Sequence, residues 1–140
     1  MSKIAFVFPG QGSQSVGMMA AYGDSAVVRS TFDEASATLG QDLWQLVAEG
    51  PAEALMQTVN TQPVMLTAGI AAWRLWSEKG GKMPAVLAGH SLGEYSALVA
   101  AGVLKFQDAV VLVHKRGAFM QEAVPVGQGG MAAIIGLDRN

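Results

Sequence analysis

The clearest chemical signal in the sequence is a serine flanked by glycines, Gly89-His90-Ser91-Leu92-Gly93. It lies between a predicted apolar strand, Pro84–Ala88, and a predicted helix, Leu92–Ala101. A sharp strand-to-helix turn of this kind is a nucleophile elbow, in which a strained backbone presents the serine hydroxyl. The glycines supply the small residues needed where strand and helix pass close together. The pattern predicts that Ser91 attacks an acyl group, and that the N–H of Leu92 at the helix start stabilises the oxyanion.

A glycine-containing loop, Pro9-Gly10-Gln11-Gly12-Ser13-Gln14, follows another predicted strand, Ile4–Phe8. It fits a phosphate-binding loop poorly, because Ser15 stands where a dinucleotide fingerprint has its third glycine. An oxyanion hole commonly pairs the N–H after the nucleophile with an N–H from another strand's loop. The loop is therefore interpreted as a second backbone donor facing Ser91, with an ordinary glycine turn as the alternative.

An arginine stands in the middle of a largely apolar predicted helix, Gln107–Val124. This residue, Arg116, is followed by Gly117, which would permit a close approach to a neighbouring element. An arginine at a pocket binds a carboxylate through two parallel hydrogen bonds. The residues alone favour the simpler alternative, a solvated side chain beside Lys115.

The remaining polar residues near these motifs are interpreted as structural. His90 precedes the serine directly, so its side chain leaves the turn in another direction, and His114 lies on a different helix face from Arg116. Glu94 complements the dipole at the start of its helix. The sequence contains no metal-ligand spacing such as His-Glu-x-x-His, so no metal site is predicted.

The composition excludes several classes of protein. Hydrophobic residues make up 51% of the 140 residues and charged residues only 14%, which excludes a disordered chain. The net charge of -2 argues against a nucleic-acid partner. The absence of cysteine excludes a disulfide framework and a cysteine nucleophile, and it fits a cytoplasmic protein. The longest apolar segment, Pro63–Trp76, is shorter than the ~20 residues of a membrane helix, so no membrane association is expected.

The elements that must position these motifs alternate between strands and helices, which predicts an α/β fold with a mostly parallel sheet. A third strand is predicted at Met131–Leu137. One helix, Thr61–Lys79, is apolar on all sides and is expected to be buried. Three further helices are predicted before it: from Asp24 or Ser25 to Leu39, Asp42–Ala48, and Pro51–Gln57.

Three motifs in this order resemble one family: Phe8–Gln14, Gly89–Ala97 and Lys115–Gly117. They are similar to the malonyl-CoA:acyl carrier protein transacylases of fatty-acid synthesis and the acyltransferase domains of polyketide synthases. The resemblance extends over Ile4–Leu137. It implies that residues 1–126 belong to a larger α/β-hydrolase-like domain. Residues 127–140 would then be a linker and the first strand of a ferredoxin-like subdomain.

The resemblance also implies a role for each site residue. Ser91 would carry the malonyl group as an ester, and the N–H groups of Leu92 and Gln11 would form the oxyanion hole. Arg116 would bind the free carboxylate of malonate. Malonyl-CoA and acyl carrier protein would be the partners, and no cofactor is implied because CoA is part of a substrate.

Members of the family are about twice as long as this chain, and their catalytic histidine corresponds to a position beyond Asn140. The chain is therefore expected to be the N-terminal part of such an enzyme. Two other functions remain open from the residues. One is a serine esterase or thioesterase using the same elbow, and the other is a non-catalytic fragment that binds acyl-CoA.

Overall fold

Two short parallel strands form the sheet in the computed structural model, which describes residues 3–124, 127–129 and 136. Strand β1 is Ala5–Phe8 and strand β2 is Val86–Gly89. They pair in register from Ala5 opposite Val86 to Phe8 opposite Gly89. Both predicted strands and their parallel arrangement are confirmed. The third predicted strand, Met131–Leu137, lies outside the described residues apart from position 136.

The helices follow the predicted order, and most of their bounds differ from prediction by one or two residues. The observed helices are α1 Ala26–Leu39, α2 Leu43–Glu49, α3 Ala52–Met56, α4 Thr58–Glu78, α5 Leu92–Ala100 and α6 Phe106–Ala123. Ser25 caps α1 by accepting a hydrogen bond from the Val28 N–H, and Asp42 caps α2 through the Gln45 N–H. These side chains satisfy backbone donors that have no partner within the helix.

The start of α4 was predicted wrongly. The sequence predicts a start at Thr61, but the helix begins at Thr58 and Pro63 lies inside it. Proline lacks an N–H and so removes a helical hydrogen bond. Tight packing against α6 stabilises the extra turn, because a Cβ at Gly117 would lie only 2.7 Å from the Thr58 carbonyl oxygen.

Helix α4 is the centre of the core and packs against α1, α5 and α6. The prediction that this helix is buried is confirmed for its first half, where Val64, Leu66, Ile70 and Ala71 are at most 1% exposed, whereas Trp76 near its end is 37% exposed. The other elements contribute further fully buried side chains to the same cluster, among them Phe32, Leu43, Leu92, Val110 and Val113. The core therefore packs α5 and α6, the two helices that come after β2 in the sequence, against the central helix α4.

The sheet has one covered face and one open face in the described part of the chain. Phe6 points inward and packs edge-on against Trp73 and Trp76 of α4. On the opposite face, Val7 is 72% exposed and Val86 is 56% exposed. No helix within the described residues is long and apolar enough to cross a membrane.

Candidate active site

Ser91 lies on the predicted sharp turn between β2 and α5. Its φ of 51° and ψ of -111° fall where L-residues are rarely found. Such a conformation costs roughly 1–3 kcal/mol and persists only where the surrounding structure imposes it. The turn leaves Ser91 exposed, so its hydroxyl is accessible to a ligand.

The flanking glycines are required by close packing of the backbone. A Cβ at Gly89 would lie 2.0 Å from the carbonyl carbon and oxygen of Gly93. A Cβ at Gly93 would lie 2.1 Å from the carbonyl oxygen of Phe8. Neither position has room for a methyl group, so the predicted need for small residues is confirmed. The start of α5 thus lies directly against the ends of both strands.

The loop after β1 lies beside the Ser91 turn, because Phe8 and Gly89 pair at the ends of parallel strands. A Cβ at Gly10 would lie 2.9 Å from the carbonyl oxygen of His90. The next residue, Gln11, donates a hydrogen bond from Nε2 to Thr58 Oγ1 at 3.1 Å. The two loops therefore adjoin, as the interpretation of a second donor loop requires.

The backbone N–H of Leu92 is available at the start of α5. Leu92 is the first residue of that helix, and the first N–H groups of a helix have no intrahelical acceptor. The side chain of Leu92 is buried and anchors the turn in the core. A backbone donor fixed in this way needs little reorganisation to bind an oxyanion.

Arg116 points to Ser91 rather than to solvent. Its Nη2 donates a hydrogen bond to Ser91 Oγ at 2.9 Å, and its Nη1 donates to Gln62 Oε1 at 2.9 Å. Its guanidinium carbon also lies 5.7 Å from the centre of the Tyr95 ring. The alternative of a solvated arginine beside Lys115 is therefore wrong. The guanidinium is held half-buried next to the candidate nucleophile.

Gly117 explains how Arg116 reaches the site. A Cβ at Gly117 would lie 2.7 Å from the Thr58 carbonyl oxygen and 2.8 Å from Val59 Cα. Only glycine permits so close an approach of α6 to the first turn of α4. The predicted reason for Gly117 next to the arginine is thus confirmed.

Two residues of this network were missed in the sequence. Gln62 and Thr58 both lie on α4, and they contact Arg116 and Gln11 respectively. The available signal was Gln62 itself, a polar side chain at the start of an apolar segment. Because buried amides need hydrogen-bond partners, a glutamine there implies a polar neighbour.

The residues interpreted as structural lie around the site. His90 and Glu94 are exposed, and His114 is half-buried on α6. The described residues contain no group of three or more His, Asp or Glu placed to hold a metal ion.

Two cavities adjoin these residues. One of about 710 Å³ is lined by Gln11, Thr58 and Met120 among others. The other, of about 390 Å³, is lined by Arg116, Phe119 and Met120 among others. Both are open depressions, and they lie beside Gln11 and Arg116 respectively.

We expect Ser91→Gly to be more stable than Ser91→Ala by about 1–2 kcal/mol, because glycine adopts a positive φ without steric cost. Both variants remove the hydroxyl, so the comparison isolates the backbone strain. Urea unfolding followed by circular dichroism measures the difference. Equal stability of the two variants would show that the turn is not strained.

Comparison with known proteins places the chain among acyltransferases. The family model described as acyl transferase domain matches residues 5–138. A protein of Salmonella typhimurium named malonyl CoA-acyl carrier protein transacylase is 66% identical over 139 residues. That match covers 99% of this chain and 45% of the relative. The chain thus spans less than half the length of this curated relative.

Solved structures agree with the family model. An acyl-carrier-protein S-malonyltransferase from Burkholderia pseudomallei superposes with a TM-score of 0.92 at 64% identity, over 99% of this chain and 45% of its own. A second structure holds a type II polyketide-synthase acyl-carrier protein in complex with its malonyl-transacylase. It matches with a TM-score of 0.86 at 59% identity, over 89% of this chain and 40% of that chain.

Proposed function

The chain belongs to the acyl transferase domain family, and we propose that it carries the nucleophile of a malonyl-CoA:acyl carrier protein transacylase of fatty-acid synthesis. The observation that carries this proposal is the hydrogen bond from Arg116 to Ser91 Oγ. It joins a cation suited to a carboxylate with a serine on a strained, exposed turn. An esterase of simple acyl groups has no need of that cation.

In the first step, Ser91 Oγ attacks the thioester carbonyl carbon of malonyl-CoA. The negative charge on the carbonyl oxygen is stabilised by the N–H groups of Leu92 and Gln11. The carbon–sulfur bond then breaks, and CoA leaves as the thiol with the proton from Ser91. The product is a malonyl ester on the serine.

In the second step, the phosphopantetheine thiol of acyl carrier protein attacks this ester. The ester bond breaks, the malonyl group leaves on the carrier thiol, and Ser91 regains its proton. A serine hydroxyl needs a general base for efficient attack. The resemblance assigns that base to a histidine in the portion of the relatives that this chain does not match, and not to His90 or His114.

The proximity of Arg116 to Ser91 determines which acyl groups the site favours. A guanidinium that reaches Ser91 Oγ lies within reach of the free carboxylate of a short acyl group bonded to that oxygen. Malonyl provides such a carboxylate, whereas acetyl does not. Hydrogen bonds between arginine and a carboxylate are charge-assisted and therefore strong.

Acyl carrier protein is the proposed second substrate, supported by the related malonyl-transacylase that was solved in complex with an acyl-carrier protein. The thiol chemistry of CoA and of the carrier needs no further cofactor. A cytoplasmic location is part of the proposal, and the absence of cysteine from these 140 residues fits it.

The proposal is tested by incubating the chain with equal concentrations of malonyl-CoA and acetyl-CoA and following its intact mass. We expect slow addition of one malonyl group in preference to acetyl, since an oxyanion hole and substrate binding retain catalysis without the base. Arg116→Ala should lower the malonyl rate about 10- to 100-fold, because a hydrogen bond to a charged group contributes about 1.5–3 kcal/mol. The acetyl rate should change little.

Arg29→Ala is the matched control, because Arg29 is an exposed arginine of α1 that pairs with Asp33. It should retain the malonyl preference. Equal labelling by the two acyl groups would contradict the role of Arg116. Accumulation of free CoA with no adduct on the protein would indicate a hydrolase instead.

A further inference from the structure

We propose that Thr58 is a positioning residue, whose hydroxyl holds the side chain of Gln11 and thereby fixes the direction of the Gln11 N–H in the oxyanion hole. This inference rests on the proposed function, in which that N–H stabilises the oxyanion. Thr58 is the first residue of α4, and its Oγ1 accepts a hydrogen bond from Gln11 Nε2 at 3.1 Å. The two residues are 47 positions apart, so the bond ties the loop after β1 to the central helix.

The backbone at Gln11 needs support from outside the loop, because a glycine lies on each side of it. Gly12 has a φ of 109°, a conformation open mainly to glycine, and Gly10 precedes Gln11. Glycine places few steric limits on rotation of the backbone. The peptide group that carries the Gln11 N–H is therefore only weakly fixed by local sterics. An oxyanion donor works best when its direction is set before the reaction, and a bond to the Gln11 side chain restricts that rotation.

The next N–H of the loop already has an acceptor. Gln14 Oε1 accepts a hydrogen bond from the Gly12 N–H at 2.7 Å. Among the hydrogen bonds between described residues, none uses the Gln11 N–H. The loop therefore offers the N–H of Gln11, and not that of Gly12, to an acyl oxygen at Ser91.

The hydroxyl of Thr58 is bonded differently from those of other helical threonines in the described part of the chain. Four of them donate to the carbonyl four residues earlier, at 2.7–3.0 Å: Thr31, Thr38, Thr61 and Thr67. Thr58 makes no such bond among the described residues, and its oxygen accepts from a separate loop. A hydroxyl that serves its own helix has a local role, whereas that of Thr58 connects two elements of the site.

Thr58 is itself held in place by α6. A Cβ at Gly117 would lie 2.7 Å from the Thr58 carbonyl oxygen, so the backbones of the two helices touch at this point. On the other side of the loop, a Cβ at Gly10 would lie 2.9 Å from the carbonyl oxygen of His90. The Gln11 loop is thus bounded by the Ser91 turn on one side and by Thr58 on the other. Thr58 is the anchor that does not take part in the reaction.

The test measures acylation of Ser91 in the full chain by malonyl-CoA and, separately, by acetyl-CoA. Thr58→Val keeps the shape of the side chain but removes the hydroxyl. It should slow both acylations about 10-fold, less than the roughly 100- to 1000-fold loss that follows removal of an oxyanion donor. The factor should be the same for both acyl groups, because both form the oxyanion. Thr58→Ser keeps the hydroxyl and should retain the wild-type rates.

Nitrogen-15 relaxation of the Gln11 backbone amide supplies a readout that does not depend on catalysis. The order parameter of this amide should fall in Thr58→Val and stay at the wild-type value in Thr58→Ser. Gln11→Met removes the same bond from the other end, so combining it with Thr58→Val should slow acylation no further than either change alone. Thr38→Val is the matched control, because Thr38 is also half-buried but donates to the Glu34 carbonyl within α1. It should change neither readout.

Three results would overturn the role of Thr58. They are an unchanged order parameter of Gln11 in Thr58→Val, a slowing of malonyl transfer but not of acetyl transfer, and a Thr58→Ser variant as slow as Thr58→Val. A wild-type chain that gains no acyl group would overturn the proposed function of Ser91 instead. The relaxation measurement would still decide whether Thr58 holds the Gln11 N–H.

Discussion

No malonyl adduct is expected on Ser91→Ala after prolonged incubation with malonyl-CoA, under conditions in which the wild-type chain gains one malonyl group. The variant lacks the attacking oxygen but keeps the Cβ, so the turn retains its backbone conformation. Arg116 and the donors around the turn remain in place. The loss should therefore be complete and should not arise from unfolding. Intact-mass spectrometry measures the adduct, and circular dichroism checks the fold.

Two further variants sharpen this prediction. Ser13→Ala removes an exposed serine from the neighbouring loop and should leave the adduct unchanged. Ser91→Cys should form an adduct as a thioester, because a thiol at the same position is a better nucleophile at neutral pH. A malonyl group that still appears on Ser91→Ala would show that another residue is acylated, and the elbow would lose its proposed role.

Gly93→Ala is expected to lower the free energy of unfolding by about 3 kcal/mol or more, a large share of the stability of a small domain. The new Cβ would lie 2.1 Å from the Phe8 carbonyl oxygen and 2.9 Å from that of Pro9. Both contacts are with backbone, which cannot move aside as a flexible side chain can. The clash should force α5 away from β1, and Ser91 would move with it.

Gly102→Ala is the control for the effect of adding a methyl group to a glycine. Gly102 has a φ of 75°, but a Cβ there would meet nothing within 4 Å. Gly102→Ala should therefore lower the free energy of unfolding only by the cost of placing alanine in this backbone conformation, about 1–2 kcal/mol. Urea unfolding of both variants gives the comparison. If Gly93→Ala were no less stable than Gly102→Ala, the close contact between α5 and β1 would not exist in solution.

Local features of the site could be predicted because they depend on short-range sterics. The glycines around Ser91 indicate a tight turn, and the apolar segments on either side set the strand and the helix. Ser25 and Asp42 mark helix starts for the same reason, since each cap bonds only three residues away. These interactions are formed by neighbours in the sequence, so no knowledge of packing is needed to expect them.

The resemblance to the acyltransferases was also contained in the sequence, as three motifs in a fixed order, and the family is confirmed. The roles of Ser91, Leu92, Gln11 and Arg116 stay predictions until the adduct experiments are made. The assignment of residues 127–140 to a ferredoxin-like subdomain likewise stays a prediction.

The start of α4 was predicted wrongly because local sequence preferences take no account of packing against a distant helix. The helix was predicted to start at Thr61, but it starts at Thr58 and therefore contains Pro63, which local preference disfavours inside a helix. Packing of Gly117 against Thr58 and Val59 overrides that preference. The residues in this contact are far apart in the sequence, so their proximity could not be read from either segment alone.

The sequence by itself determined the elbow, the order of the elements and the family. Only the tertiary structure decided that Arg116 turns to Ser91, 25 residues away, and that Gln62 holds it from 54 residues away. The direction of a long, flexible side chain depends on which partners folding brings within reach. Here the deciding contact is the approach of α6 to α4 at Gly117, which places the guanidinium between a buried amide and the serine.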